Sequence, residues 1–388
     1  MATFRVPMNP VSVQTVVAGG LQLSRTPSRR ARQFAFSIAK ALAAACGLLL
    51  PLAALAAGPG ESPAFKALPP LVRGNLTIYP VIAAHTYDTS QLLTLDEGVR
   101  SGAVTVTEAG QERGLVRPGQ YIAPPSGGAE VNRLVLYNNS ERPLLLLAGE
   151  IVTGGKQDRV IGSDRIVPPQ SGPIDLGVFC VEPHRWVASS SKFGSMSAQM
   201  AQPAVRAPAM AEHNQNSVWE NVRSAQTRVA ANLAGADALA VENTSSYAKV
   251  FASAPVANLV ANYGGVDAES AFLRELRDRN ASGVVVAVNG RILWADLFAS
   301  TDLLAKYWPK LMRSYVAEAI TGGSSNDASS QARAQSFLDA LSGGREIVET
   351  EAGVFRRTDI TGEGYRVFEL ASLMPKSLFT VHITKLAD

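Results

Sequence analysis

Between Ala148 and Trp186 the chain reads AGEIVTGGKQDRVIGSDRIVPPQSGPIDLGVFCVEPHRW, a run in which carboxylates, guanidinium groups, an amide, a thiol, an imidazole and an indole alternate with strand-like apolar residues. Polar groups at the margin of a core need partners, either one another or a ligand. Glu150 and Glu182 are the candidates for general acid and base, because two carboxylates in different environments can divide those roles. Gln157, Asp158, Arg159 and Arg185 could orient a polar ligand, and Trp186 offers a stacking face. Cys180 is either a reactive thiol or a small buried hydrophobe on a strand. The alternative for the whole set is an internal salt-bridge network that sets strand register, with Glu182 held by Arg159, Arg165 or Arg185. Lys156, Arg159, Arg165 and Arg185 face Glu150, Asp158, Asp164, Asp175 and Glu182 in this run. A site built for phosphate would carry a cationic excess, so the balance suits a hydroxyl-rich ligand or a self-satisfied network.

Spacing removes several other chemistries. Gly149, Gly154, Gly155 and Lys156 resemble a phosphate-binding loop only in outline: Gln157 stands where Ser or Thr is needed, and Arg159 to Ile161 reads as strand, not as a helix start. His85, His184, His213 and His382 form no metal-ligand pair at helical or finger spacing, and no cofactor is called for. Cys180 and His184 would stand about 13 Å apart on an extended chain, so they form a nucleophile and base pair only if Pro183 folds the chain back.

Composition bounds the partners. Arg5, Arg25, Arg29, Arg30, Arg32 and Lys40 precede the first acidic residue, Glu61, and the apolar stretch Ala41 to Ala57 follows them. This predicts a secretory signal over residues 1–57, cut near Ala56, and an exported mature chain in the periplasm or outside the cell. Pro51 and the shortness of the apolar run argue against a retained membrane span. Ser28-Arg29-Arg30 lacks the apolar residues of a twin-arginine signal, and Ala43 to Ala45 before Cys46 lack the Leu of a lipidation site. Losing those six cations and no anion turns a formal charge of +3 into −3, which leaves no electrostatic case for nucleic acid. Of the two cysteines, only Cys180 lies outside the leader, so the mature chain has no intrachain disulfide.

The elements that must position these residues are read from periodicity. Short strands punctuated by Gly, Pro, Asn and Ser fill 70–188 and predict a β-rich sandwich or barrel, with one short helix over Ser90 to Arg100. Residues 189–216, rich in Ser, Ala, Gln, Met and Pro without apolar period, predict a flexible linker or loop. Over 217–388 helices alternate with antiparallel strands: Val218 to Leu233, Ser246 to Tyr263, Ala268 to Arg279, Thr301 to Ile320 (interrupted or restarted at Pro309) and Asp327 to Leu341 are helical. Asn289-Gly290 between VVVAV and RILWADLF predicts a type I′ hairpin. The fold class is α+β.

Ala148-Gly149-Glu150, Gly154 to Arg159, Pro168, Cys180 to Trp186, Ser217-Val218-Trp219, the AVNGRILWADLF hairpin and the helix around Lys306 to Tyr315 together resemble the ARG and rhodanese-phosphatase-superfamily-associated protein domain. The resemblance covers about Pro70 to Leu386. It implies that Glu150, Gln157, Arg159, Cys180, Glu182, Arg185 and Trp186 belong to the family motif, and that the ligand is an ADP-ribose-like compound. The leader distinguishes this chain and argues against a cytoplasmic role, so the expected ligand is an ADP-ribose-like nucleotide sugar or a carbohydrate met outside the cytoplasm. Two functions follow as expectations: an exported protein with a polar ligand site that binds or processes such a compound, or a non-enzymatic cell-envelope module acting through a protein partner, which the 189–216 loop would engage.

Overall fold

Asn289 and Gly290 both take positive φ, 53° and 72°, the backbone that a tight type I′ hairpin demands, and they join Gly283–Val288 to Arg291–Phe298 in antiparallel register. The hairpin lies inside the largest sheet. The computed structural model describes residues 14–16, 65–108, 133–183, 190, 192–194, 199–261, 263, 265–322 and 329–388. Its ten-stranded sheet runs Gln14–Val16, Arg345–Glu351, Phe355–Gly362, Tyr365–Ser372, Thr380–Ala387, Arg291–Phe298, Gly283–Val288, Leu76–Ala83 and Phe65–Ala67, with Leu71–Arg73 also paired to Leu76–Ala83. Leu76–Ala83, which the sequence groups with the β-rich 70–188 region, is thus hydrogen-bonded to Gly283–Val288. Both strands are buried over most of their length, as their Val- and Ile-rich runs require of strands covered on both faces.

Two smaller sheets occupy 93–193. One has the order Lys192–Phe193, Val104–Glu108, Arg133–Asn138, Ser171–Cys180, Arg159–Ile161 and Ile151–Val152; the other pairs Arg165–Val167, Leu144–Leu146 and Leu93–Thr94. Their inward residues, among them Val106, Leu136, Leu146, Val152, Ile161 and Val178, close on one another in a barrel-like core. Alternation along Ser171–Cys180 sends Val178 into that core and Phe179, with Val181 beyond the strand end, into a second cluster against helices. The fold class is α+β, as predicted.

Thr301–Thr321 is one uninterrupted helix through Pro309, not a pair restarted there. Proline forfeits one backbone hydrogen bond, and burial of most of this helix outweighs that loss. Ser300 caps it, accepting from the Leu303 amide at 3.0 Å. The expected linker also differs from its reading: Pro203–Ala207 is α-helical and Pro208–Glu212 continues as a π-helical turn. Ala201, Val205 and Ala209 recur every four residues and are buried beneath it, a helical period that the Ala- and Pro-rich composition conceals. Gln215–Ala231, Tyr247–Ala252, Ala254–Ala261, Gly265–Asp278 and Gln331–Asp339 fall within or close to expected helices, whereas Gly235–Glu242 was not foreseen. The leader assigned to 1–57 lies outside the described residues apart from Gln14–Val16. Among the described residues no helix is long and apolar enough to cross a membrane.

Candidate functional site

The motif divides into two buried networks. Arg159 pairs in register with Cys180 on one side and Val152 on the other, which brings Glu182, two residues past the strand end, beside the Gly154–Asp158 turn. There the Asp158 amide donates to Glu182 Oε2 at 3.1 Å, and Gln157 Nε2 donates to the Glu182 carbonyl at 3.0 Å. Asp158 accepts from the Gly154 amide at 3.2 Å and from the Ser246 hydroxyl at 3.0 Å. The Arg159 guanidinium donates to the Gln157 carbonyl at 2.7 Å and reaches within 4.0 Å of Glu108 Oε1. Glu108 ends the strand Val104–Glu108, and its Oε1 accepts from the Lys156 amide at 2.9 Å. The turn lies directly on this carboxylate: at Gly155, φ 52°, a Cβ would stand 2.6 Å from Glu108 Oε1 and 2.3 Å from the Phe193 ring. Only glycine fits there. Gln157, Asp158, Arg159, Glu182 and Glu108 are all buried.

Glu150 belongs to the second network. Its Oε2 accepts from the Leu147 amide at 2.7 Å and its Oε1 from Lys310 Nζ at 2.5 Å; Lys310 also pairs with Asp96. Burial works against the Lys310 charge, but Glu150 and Asp96 outweigh it and raise its pKa. Burial raises the Glu150 pKa in turn, with the Lys310 ammonium pulling it down. A few residues on, Asp164 accepts from the Ala148 amide at 2.7 Å and lies 2.5 Å from His382 Nδ1. His382 Nε2 is 3.3 Å from Asp296 Oδ1, a charge contact without hydrogen-bond alignment. Asp296 is gripped by Arg206 through both guanidinium nitrogens at 3.0 and 3.1 Å, and accepts from Trp294 Nε1, Thr384 Oγ1 and the Tyr315 hydroxyl. Burial opposes the Asp296 charge, yet Arg206 and His382 hold its carboxyl well below the usual range. Burial likewise disfavours a charged His382, but Asp164 and Asp296 prevail and raise it to about 9. Arg206 packs over Gly149, whose φ of 94° and missing Cβ make the approach possible.

The structure therefore brings Gln157, Asp158, Arg159 and Glu182 together and places Glu150 with a different set of partners. Arg185 and Trp186 lie outside the described residues. Cys180 is buried, its thiol pushed up to about 11 by burial, and its backbone is clasped by the Gln215 side chain at 2.8 and 2.9 Å. That suppresses the thiolate on which reactivity depends. Sequence reasoning missed Glu108, Asp96, Arg206, Lys310 and His382 as members of these networks. Lys310, Ser314 and Glu318 did leave a signal: they recur four apart with apolar residues such as Leu311, Tyr315 and Ala319 directly beside them, which marks a polar stripe on an apolar face of the helix.

Both networks fall inside one family match. No curated protein and no solved structure matches the chain. Residues 64–383 match the model of the ARG and Rhodanese-Phosphatase-superfamily-associated Protein domain, and the chain belongs to that family.

Proposed function

We propose that this is an exported protein that binds a small hydroxyl-rich ligand, carbohydrate-like or the sugar part of a nucleotide sugar, at the Glu108, Gln157, Asp158, Arg159 and Glu182 cluster. One observation carries the reading. Among the described residues Glu108 Oε2 has no hydrogen-bond partner, although the side chain is only 1 % exposed. A buried acceptor left without a donor costs about 1–3 kcal/mol, more when ionised, so a group that brings a donor is favoured there. Glu108, Asp158 and Glu182 outnumber the Arg159 guanidinium among the buried side chains of the cluster, a balance that favours hydroxyl donors over phosphate. Arg159 orients the ligand in this reading. If the ligand is also cleaved, Glu182 and Glu108 are the better placed acid and base, because Glu150 has both oxygens engaged by Leu147 and Lys310.

The test uses the chain without residues 1–57, titrated with monosaccharides, ribose, ADP-ribose and NAD by thermal shift and calorimetry. At least one sugar-bearing ligand should raise Tm, and Glu108→Gln should abolish the response while leaving the ligand-free Tm unchanged or higher. No response to any ligand, with a stabilised Glu108→Gln, would assign the cluster to internal structure. Export rests on the leader composition, and alkaline phosphatase fused after Ala57 should be active in intact cells; an inactive fusion removes that part.

A further inference from the structure

The two edges of the ten-stranded sheet are closed in different ways. At one end the helix Gln331–Asp339 covers Phe65–Ala67: Gln335 Oε1 accepts from the Ala67 amide at 2.8 Å, Gln335 Nε2 donates to the Phe65 carbonyl at 3.0 Å, and Gln331 Nε2 donates to the Ala67 carbonyl at 2.9 Å. That edge is sealed from within residues 65–388. At the other end Arg345–Glu351 is covered, among the described residues, by Gln14–Val16, with Gln14 opposite Val348 and Val16 opposite Glu346. The covering strand lies in the leader, so a cut near Ala56 severs it from the chain that carries the edge. The strand then exposed has few of the usual guards against pairing. It is seven residues long, contains neither Lys nor Pro, and pairs with Phe355–Gly362 in unbroken register without a bulge. Ile347 on it is exposed. Its acidic side chains guard it weakly, because Arg357 holds Glu349 at 2.7 Å and Arg165 holds Glu351 at 2.8 Å.

We infer that the mature chain pairs its Arg345–Glu351 edge antiparallel with the same strand of a second copy, forming a two-fold dimer whose sheet runs through both chains. The strand is self-complementary. With the two-fold at Val348, Arg345 lies opposite Glu351 at both ends, Glu346 opposite Thr350, Ile347 opposite Glu349 and Val348 opposite itself, so all seven residues pair and no like charges face each other. Moving the axis to Glu349 sets that glutamate against its copy, and moving it to Ile347 leaves Thr350 and Glu351 opposite Gly344 and Gly343. The strand seated on the edge of the uncut chain points to the same mode of recognition: Gln14, Thr15 and Val16 bring no charge, so the edge accepts an extended backbone as such. Main-chain hydrogen bonds supply the attraction, and the paired Arg345 and Glu351 select the copy over other extended segments.

Sedimentation equilibrium of the chain without residues 1–57, from about 1 to about 200 µM, should show the mass rising from one chain to two. A peptide of residues 10–20, which carries the covering strand, should return the dimer to single chains. Arg345→Glu, which sets glutamates against each other at both ends, should weaken association at least tenfold. Hydrogen exchange supplies a readout that needs no variant: the amides of residues 345–351 should exchange more slowly as concentration rises, while those of Phe65–Ala67 stay constant. A one-chain mass throughout, a dimer whose strength either the peptide or Arg345→Glu leaves unchanged, or exchange at 345–351 that ignores concentration would overturn the proposal. Loss of the leader in the cell rests on the export proposed above, which the phosphatase fusion checks; the truncated chain checks the edge directly, so failure of one is distinguishable from failure of the other.

Discussion

Gly149 shows how a single residue ties the motif to a side chain far along the sequence. A methyl group there would stand 2.6 Å from the Arg206 side chain, on a backbone that already has φ of 94°. Gly149→Ala should therefore destabilise the protein by about 2–4 kcal/mol in urea unfolding at pH 7; a loss below about 1 kcal/mol would mean that Arg206 moves aside freely. His382 makes a prediction in pH. Its folded-state pKa of about 9 lies above the value of roughly 6.5 expected when unfolded, so its contribution is complete below that lower value and is lost as pH rises through 9. Lys385, lowered to about 8 by burial, works in the opposite sense from pH 8 upward. The informative quantity is thus the difference between the protein and His382→Gln: it should shrink between pH 7 and 10, and a constant difference would show that His382 is neutral when folded. At this scale the sequence disclosed which polar residues cluster near Asp158 but not Glu108, because a strand-ending glutamate looks like any exposed one until its neighbours are known.

The helix Thr301–Thr321 is the element that joins the parts. Tyr307 donates to the Leu145 carbonyl at 2.9 Å, Lys310 holds Glu150 and Asp96, Ser314 donates to the Ala201 carbonyl at 2.7 Å, and Tyr315 reaches Asp296. Successive turns of one helix thereby connect the smaller sheets, the 199–212 segment and the large sheet. Lys310→Met leaves two buried carboxylates facing each other and should cost about 3–5 kcal/mol. Adding Glu150→Gln should restore part of that loss in a double-mutant cycle, and strict additivity would deny the coupling. At the start of the same helix, Ser300→Ala removes the cap and a buried hydroxyl pair with Thr89, for a loss of about 1–2 kcal/mol by thermal unfolding. The helix itself was legible from its apolar period and the hairpin from Asn289-Gly290, since both signals are local. The continuation through Pro309 and the burial of Ala201, Val205 and Ala209 were not, because packing from elsewhere in the chain overrides the local preference in both.

The whole molecule depends on a sheet made from both ends of the described chain. Leu76–Ala83 supplies the neighbour of Gly283–Val288, so a fragment of residues 217–388 exposes a buried strand edge. Expressed alone, that fragment should show no cooperative unfolding, whereas residues 65–388 should unfold in one transition followed by fluorescence and circular dichroism alike. A fragment with a sharp transition of its own would show that the halves fold independently. By itself the sequence determined the α+β class, the individual hairpin and helices, and the run of residues in which the polar chemistry is concentrated, because periodicity, turn chemistry and composition act over a few residues. Only the tertiary structure decided that Glu150 and Glu182 serve separate networks, that Arg206, Asp296, Lys310 and His382 complete one of them, and that Glu108 completes the other. Those partners lie up to 218 residues apart, as Asp164 and His382 do, and buried charges find each other through strand register and helix packing that no local pattern records.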